Sequence, residues 1–351
     1  MEHVIDRLRG HVAALASDEC EGRAAGTPGG RKARGLVTGW LEETGLEPAG
    51  ENGFLQPIPS IGGANVLGRV PGPGEGRHIL IGAHYDHLGL LGGEMYPGAN
   101  DNASGVAVLL EVTRGLAERR SELGRDVLAA SFDAEEPPYF LEPEMGSIHF
   151  VSNPTVPLDS IELMVCLDLV GSPLGGPDIA EELRDLVVVS GAERAGLGAL
   201  VDDTPTEGVT LRRIGADIVP PLSDHFAFHS AGIPTMFLTS GRNRYYHTPE
   251  DTPEKLDYPM MADLADAFTD IVVRTSRREA PIVYRPDVVD RETSIATILD
   301  LMEAAADLAP DGGRMLAIMD LFAAGRGSEF FAGHESEALA HVLRTAESTL
   351  G

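Results

Sequence analysis

Five segments of the chain end an apolar run on side chains of the kind that bind metal ions. They are IGAHYDH with His84 and Asp86, GANDNASG with Asp101, SFDAEE with Glu135 and Glu136, CLDLVG with Asp168, and YYHTPEDT with His247. Imidazole and carboxylate are the donors that a borderline cation such as Zn²⁺ accepts, and the only two cysteines, Cys20 and Cys166, fit no ligand spacing. The set therefore points to a catalytic centre rather than a structural one. Its charges balance: the carboxylates of Asp101, Glu136 and Asp168 with one bridging hydroxide neutralise two divalent ions, and His84 and His247 stay neutral. The chemistry that such a pair of ions supports is hydrolysis.

Each piece alone has a plainer explanation. His-x-Asp arises freely in polar loops, Asp101 suits the start of a helix, and Glu135-Glu136 suits a solvated acidic loop. The surroundings argue the other way. LAASF before the Glu pair and PPYF after it are poor company for a solvated loop. Two adjacent carboxylates at a buried strand end repel, a cost that is tolerable when one binds a cation and the other works as a base. Asp168 interrupts VCLDLVG, and a charge in so apolar a strand needs a partner, for which a cation is the natural choice. His247 opens HTPEDTPEKLD, a polar turn into a helix that does not suit a core role. Asp86 lies two residues past His84, so in extended chain both project to one side and Asp86 is placed to orient the imidazole or its surroundings. His87 has no assignable role.

The elements that must carry these residues follow from the apolar rhythm. From residue 78 the chain runs HILIGAH, SGVAVLLEVTRGLAE, RDVLAASFDA and IELMVCLDLVG, then DLVVVSG, a helix in AERAGLGALV, a helix in SDHFAFHSAG, the strand PTMFLTS and a helix over about 255–277. Continuous apolar strands alternating with helices predict a three-layer α/β/α sandwich with a mixed, largely parallel central sheet. In such sheets sites form at the carboxyl ends of strands, and all the residues above fall at such ends or in the loops just after them. Helices are expected over about 2–16 and 28–44, the second with a Thr27-Pro28 start and a Gly45 stop. Two short strands at a sheet edge are expected between 52 and 71, and GPGEG (72–76) reads as a turn, because it lacks the Lys-Ser/Thr of a phosphate loop. The α/β/α domain is expected to span 1–280. Residues 281–351 read as a helical C-terminal extension, with stretches near 292–308, 313–324 and 335–348, packed on the sheet edge or on a second copy in a homo-oligomer.

At 351 residues and 43% hydrophobic content, the chain can bury a large core. Fifty-five acidic against 27 basic residues give a formal charge of −28, which repels nucleic acid and anionic membranes. The basic residues are almost all arginine, with Lys32 and Lys255 the exceptions. The opening MEHVIDRLRGHVAALAS reads as an amphipathic helix rather than a signal peptide, and no apolar run reaches membrane length, so a cytoplasmic location with two unpaired thiols is expected.

Taken jointly and in order, from ASDECEGRAAGTPGG to HTPEDTPEKLDY, the motifs resemble the M28 family of zinc aminopeptidases. The resemblance implies two Zn²⁺, one held by His84, Asp101 and Asp168 and the other by Asp101, Glu136 and His247, with Glu135 as general base and a cis peptide at Asp101-Asn102. It implies a peptide substrate with a free amino terminus. Three rivals accompany it. Glutaminyl cyclases share the scaffold with one zinc, non-catalytic relatives lose ligands that this chain keeps, and M20-type enzymes insert a lid domain for which the Asp168–His247 stretch has no room. The chain departs from many members in PPYFLEPEMGS, where Tyr139, Phe140, Glu142 and Glu144 follow the Glu pair in place of a short Gly-rich turn. His225 and His229 lack the Glu of a zincin helix; Asp224 and His225 are expected behind the metal ligands and His229 has no special role.

Overall fold

The central strands are those in which both faces are apolar. In the computed structural model, which describes residues 1–306 except 74–75, 175–183, 220 and the side chains of 302–306, the strand HILIGAH becomes β4 (His78–His84) and is buried throughout. The same holds for β7 (Asp126–Phe132), and β8 (Ile161–Leu167) is nearly as enclosed. Side chains alternate across each strand. Ile79, Ile81 and Ala83 join Val127, Ala129, Leu163 and Val165 in one core, while Leu80 joins Leu128, Phe132, Met164 and Cys166 in another on the opposite face. Full burial of each large aliphatic side chain contributes roughly 1.5–3 kcal/mol, so a strand wanted by two cores has little freedom to slip.

The remaining strands are β1 (Glu47–Pro48), β2 (Leu55–Ile58), β3 (Gly63–Val70), the hairpin β5 (Gly89–Leu91) and β6 (Glu94–Tyr96), β9 (Leu186–Ser190), β10 (Thr210–Ile214) and β11 (Thr235–Thr239). The main sheet runs in the order β1-β3-β7-β4-β8-β11-β9-β10, with β2 also paired to β3. β7, β4, β8 and β11 are mutually parallel, whereas β3 and β9 run against them, which gives the mixed sheet expected. Helices α1 (Glu2–Leu15), α2 (Pro28–Glu43), α3 (Gly105–Glu118) and α7 (Tyr258–Ser276) supply apolar residues to the first core. α4 (Gly146–Ser152) and α6 (His225–Ser230) supply Phe150, Ala227 and Phe228 to the second. No helix among the described residues is long and apolar enough to cross a membrane.

Several expectations shift on contact with the structure. The strand IELMVCL ends at Leu167, so Asp168 is the first residue beyond it, with its N–H still donating to Leu238 O at 3.1 Å. AERAGLGALV is helical only as α5 (Gly198–Asp202), because Gly191 and Gly196 take positive φ and turn the chain. β10, with the sequence TLRRI, carries two arginines and lacks the apolar run that marks the other strands. GPGEG lies partly outside the described residues. Of the tail, α8 (Arg291–Ala306) packs on β10: Ser294 Oγ accepts Gly215 N–H at 2.8 Å and Thr297 donates to Arg213 O at 2.9 Å. The expected helices at 313–324 and 335–348 lie outside the described residues.

Register then places the site. β4 pairs Gly82 with Cys166 of β8 and His84 with Phe132 of β7. His84, Asp168 and the segment after Phe132 are therefore level at one end of the sheet. Gly82 is what lets these strands close up, since a Cβ there would lie 2.6 Å from the Phe132 ring and 3.0 Å from the Met164 methyl. Gly82→Val should cost about 1–3 kcal/mol through overpacking. A denaturant midpoint equal to that of the parent chain would contradict this packing.

Candidate metal centre

His84 is the last residue of β4 and is buried. Its Nε2 lies 3.4 Å from Asp101 Oδ1 and 3.6 Å from Asp168 Oδ1. Asp101 arrives by a different route, through the β5–β6 hairpin and a tight turn that opens on Gly98 at φ 57. A Cβ on Gly98 would meet Asp101 O at 2.3 Å and the His87 ring at 2.5 Å, so no larger residue fits. The Asp101-Asn102 peptide is cis. Asn102 fixes the turn to the scaffold, donating to Leu167 O at 2.8 Å and accepting Gly105 N–H at 3.0 Å. The second oxygen of Asp101, Oδ2, lies 3.1 Å from His247 Nε2, which is also 3.2 Å from Glu136 Oε2.

All five predicted ligand residues thus come together, and Asp101 presents one oxygen to each of two imidazoles. His84 Nε2, His247 Nε2 and Asp168 Oδ1 are buried without a hydrogen-bond partner. Lone pairs and carboxylate oxygens aimed at common points, 3.1–3.6 Å apart, match the spacing of ligands around a small divalent cation. The residues fit the metal that the resemblance implies.

The titratable groups of the cluster strain against one another. Burial alone would depress His84, but Glu135, Asp168 and Asp86 outweigh it and hold the imidazole well above its ordinary value. Burial opposes ionisation of Asp168 too, and the adjacent His84 imidazole overcomes it, so that carboxyl is lowered. Asp101 is raised, first by burial and then by Glu136. His247 would be lowered by burial, yet the adjacent carboxylates of Asp101 and Glu136 lift it to about 9.

Glu135 and Glu136 leave β7 through Ala134, held at φ 58 with its N–H on Asp133 Oδ1. Asp133 is itself buried and anchored by Tyr85 Oη at 2.6 Å and Ala64 N at 2.9 Å, with burial lifting it to about 7. Asp86 acts on this pair more than on His84. Its carboxylate accepts the N–H of Glu135 at 3.0 Å and of Glu136 at 3.2 Å, whereas the nearest hydrogen bond of His84 Nδ1 is to the main-chain oxygen of Asp86 at 3.2 Å. Of the two options open in the sequence, orienting the imidazole or its surroundings, the second is what the hydrogen bonds support. Glu135 is raised well above the ordinary carboxylate value by burial, against the pull of His84. Asp224 and His225 lie behind the site, both buried, the former lifted to about 7 and the latter lowered to about 3 by burial. His229 instead meets Tyr284 Oη at 3.2 Å. The PPYFLEPEMGS loop folds back on Glu136 through Tyr139 N–H to Glu136 O at 3.0 Å, with Tyr139 and Phe140 half-buried.

His87 is the residue that sequence reasoning left without a role. It forms a metal-capable group with Asp101 and Glu136, but its Nδ1 is 2.7 Å from Glu136 Oε1 and 3.9 Å from Asp101 Oδ2. The shorter distance is that of a hydrogen bond, and burial lowers His87 to about 3, so the neutral ring donates. His87 therefore occupies one oxygen of Glu136 and leaves Oε2 turned toward His247. The signal was the second histidine of HYDH, three residues past the first on the same buried segment. On the outer side Tyr246 stacks on His247, with centroids 3.8 Å apart and 16° between planes, and Arg242 lies 4.6 Å over Tyr246.

Histidines and carboxylates gathered at the carboxyl ends of parallel strands define a metallohydrolase of the zinc-peptidase fold. The model of Peptidase family M28 matches residues 65–272, and the chain belongs to that family. It is 31% identical over 236 residues to YfbL of Escherichia coli (strain K12), covering 60% of this chain and 71% of that one. It is 28% identical over 229 residues to the aminopeptidase YwaD of Bacillus subtilis (strain 168), covering 61% of this chain but only 45% of the relative. A glutaminyl-peptide cyclotransferase of Boiga irregularis is 26% identical over 289 residues, covering 69% and 74%. Among solved structures, the Legionella pneumophila LapA aminopeptidase superposes with a TM-score of 0.58 at 18% identity, covering 79% of this chain and 75% of that one. A glutaminyl cyclase from Bacteroides thetaiotaomicron superposes with a TM-score of 0.57 at 19% identity, covering 77% and 97%. These two likenesses are of fold.

Removing the His87 hydrogen bond in His87→Phe should weaken the Glu136 group for a divalent ion by about 10–100-fold, with less effect on the His84 group. Stepwise chelator titration reads the two separately, and equal loss at both would contradict the assignment. Coordination also requires His247 to shed the proton that its carboxylate neighbours stabilise. Metal affinity should therefore rise with pH until His247 is deprotonated near its value of about 9. An affinity that stays flat from about pH 7 to about pH 9 in competition assays would contradict that.

Proposed function

We propose that the protein is a two-zinc aminopeptidase that removes the first residue from peptides with a free amino terminus. The observation that carries this reading is Asp101, whose two oxygens face His84 at 3.4 Å and His247 at 3.1 Å. His84, Asp101 and Asp168 would hold one ion, and Asp101, Glu136 and His247 the other. When bound, such ions make water more acidic and polarise a carbonyl. Glu135 stands 3.8 Å from His84 Nε2, outside hydrogen-bond range, and so keeps its carboxylate for proton transfer. Its raised pKa suits a group that takes a proton from water and returns it to the departing amine as the C–N bond breaks. Asp86 keeps that carboxylate in place through the main chain of Glu135 and Glu136.

The aminopeptidase YwaD supports the peptide substrate, and the retention of a complete His84–Asp168 group supports two ions. The cyclotransferase relatives define the alternative, in which one zinc serves ring closure of an amino-terminal glutamine. A panel of aminoacyl amides, their N-acetylated forms and glutaminyl peptides separates the two. Release of free amino acids from unblocked substrates alone is expected; pyroglutamate formation without cleavage, or cleavage of blocked substrates alone, would sink the aminopeptidase reading. Glu135→Gln should retain both ions while turnover falls by about 10²–10⁴-fold or more. Metal analysis beside the rate measurement checks it, and near-normal turnover would remove Glu135 from its role.

A further inference from the structure

Two arginines, Arg23 and Arg125, are fully buried, and both direct most of their guanidinium donors at main-chain carbonyls. Arg125 precedes β7 and grips Ser276 O at 2.6 Å, Arg278 O at 2.8 Å and Ala280 O at 3.0 Å, at and just beyond the end of α7. It lies at the opposite end of β7 from Glu135 and Glu136. Arg23 lies instead beside Asp101.

Arg23 sits in a run of left-handed backbone with Glu21 at φ 48, Gly22 at φ 66 and its own φ at 46. Side-chain-bearing residues adopt that region at a conformational cost, and keep it where the surroundings enforce it. What it achieves here is aim. Nε donates to Tyr85 O at 2.7 Å, Nη1 to Pro97 O, and Nη2 to Gly98 O at 2.5 Å and Asp101 O at 3.0 Å. The N–H side of the same turn is met by Asp251, whose carboxylate accepts Asn100 N–H at 2.9 Å and Asp101 N–H at 3.1 Å, and whose main-chain oxygen accepts Ala99 N–H at 3.0 Å.

We propose that Arg23 and Asp251 are positioning residues that grip the main chain of Asp101 from its two polar sides and thereby set its carboxylate between His84 and His247. Tyr85 adjoins His84, and Asp251 is on the loop that carries His247, so the clamp joins three of the five segments that carry the facing groups. A planar fork is required on one side, because an ammonium cannot reach carbonyls from Tyr85, Pro97, Gly98 and Asp101 at once. The nearby carboxylates of Asp101, Asp251 and Asp86 supply the counter-charge that lets the guanidinium stay out of water. The inference rests on the reading that Asp101 serves two ions.

The test compares the full-length protein with Arg23→Lys, Asp251→Asn and Arg125→Lys, each stripped of metal. Melting temperatures are recorded first. Affinity for Zn²⁺ is then measured by competition with a chromophoric chelator, and the Co²⁺-loaded forms are compared by their ligand-field absorption. Arg23→Lys and Asp251→Asn should lose at least about tenfold in affinity and shift the Co²⁺ bands. Arg125→Lys should lose stability and keep both. Unchanged affinity and spectrum in the first two variants, or an equal change in all three, overturns the clamp. Should Arg23→Lys fail to fold, Asp251→Asn, which keeps the side-chain volume, decides by the same criteria. If the parent protein binds one ion only, the two-zinc reading fails, and the clamp is still judged on that ion, because Asp101 belongs to both groups.

Discussion

Carboxylates buried side by side repel, and the end of this sheet buries Asp86, Asp101, Glu135, Glu136 and Asp168 together. Much of the local structure is organised to bear that repulsion. Asp86 spends its charge on two amide N–H groups, Asp168 leans on His84, Asp101 and Glu136 lean on His247, and Arg23 adds a guanidinium at the main chain of Asp101. Even so, Asp101 and Glu135 hold their protons more tightly than ordinary carboxyls. A cluster in that condition is poised to accept cations, because each divalent ion relieves several unfavourable contacts at once.

The hydrophobic sheet turns this chemistry into geometry. Two cores, one on each face, lock β4, β7 and β8 in register, and that register alone brings His84 level with Asp168 and the Glu pair. Asp101 and His247 lack that support. They sit on turns outside the strands, and the hydrogen bonds of Asn102, Arg23 and Asp251 do for them what strand pairing does for the others.

The same division explains what could be read from the sequence. Residues fixed by strands announce themselves, since an apolar run ending on His or Asp is visible without a structure, and the sheet, its parallel centre and the candidate residues His84 and Asp168 at its strand ends follow. β10 escaped because TLRRI pairs along a sheet edge with its arginines turned to Asp202, Asp290 and Asp300, so that ion pairs stand where apolar alternation would. His87 escaped because its task is one hydrogen bond to Glu136, a partner 49 positions away with no local spacing to betray it. Arg23 escaped for a related reason. In EGRAAG it looks like a solvated turn residue, and only the tertiary fold shows that it is enclosed by carbonyls from two distant segments.

His84, Asp101, Glu136, Asp168 and His247 are contributed by five separate stretches of chain, and no pair of facing groups is local in sequence. An unfolded chain cannot assemble such a set, so cations would bind the native state almost exclusively. Free metal then becomes a thermodynamic partner of folding, adding about 1.4 kcal/mol for every tenfold rise in its concentration above the dissociation constant. With bound ions, the scattering of these groups along the chain would make the stability of the whole sheet answer to the ion supply around it.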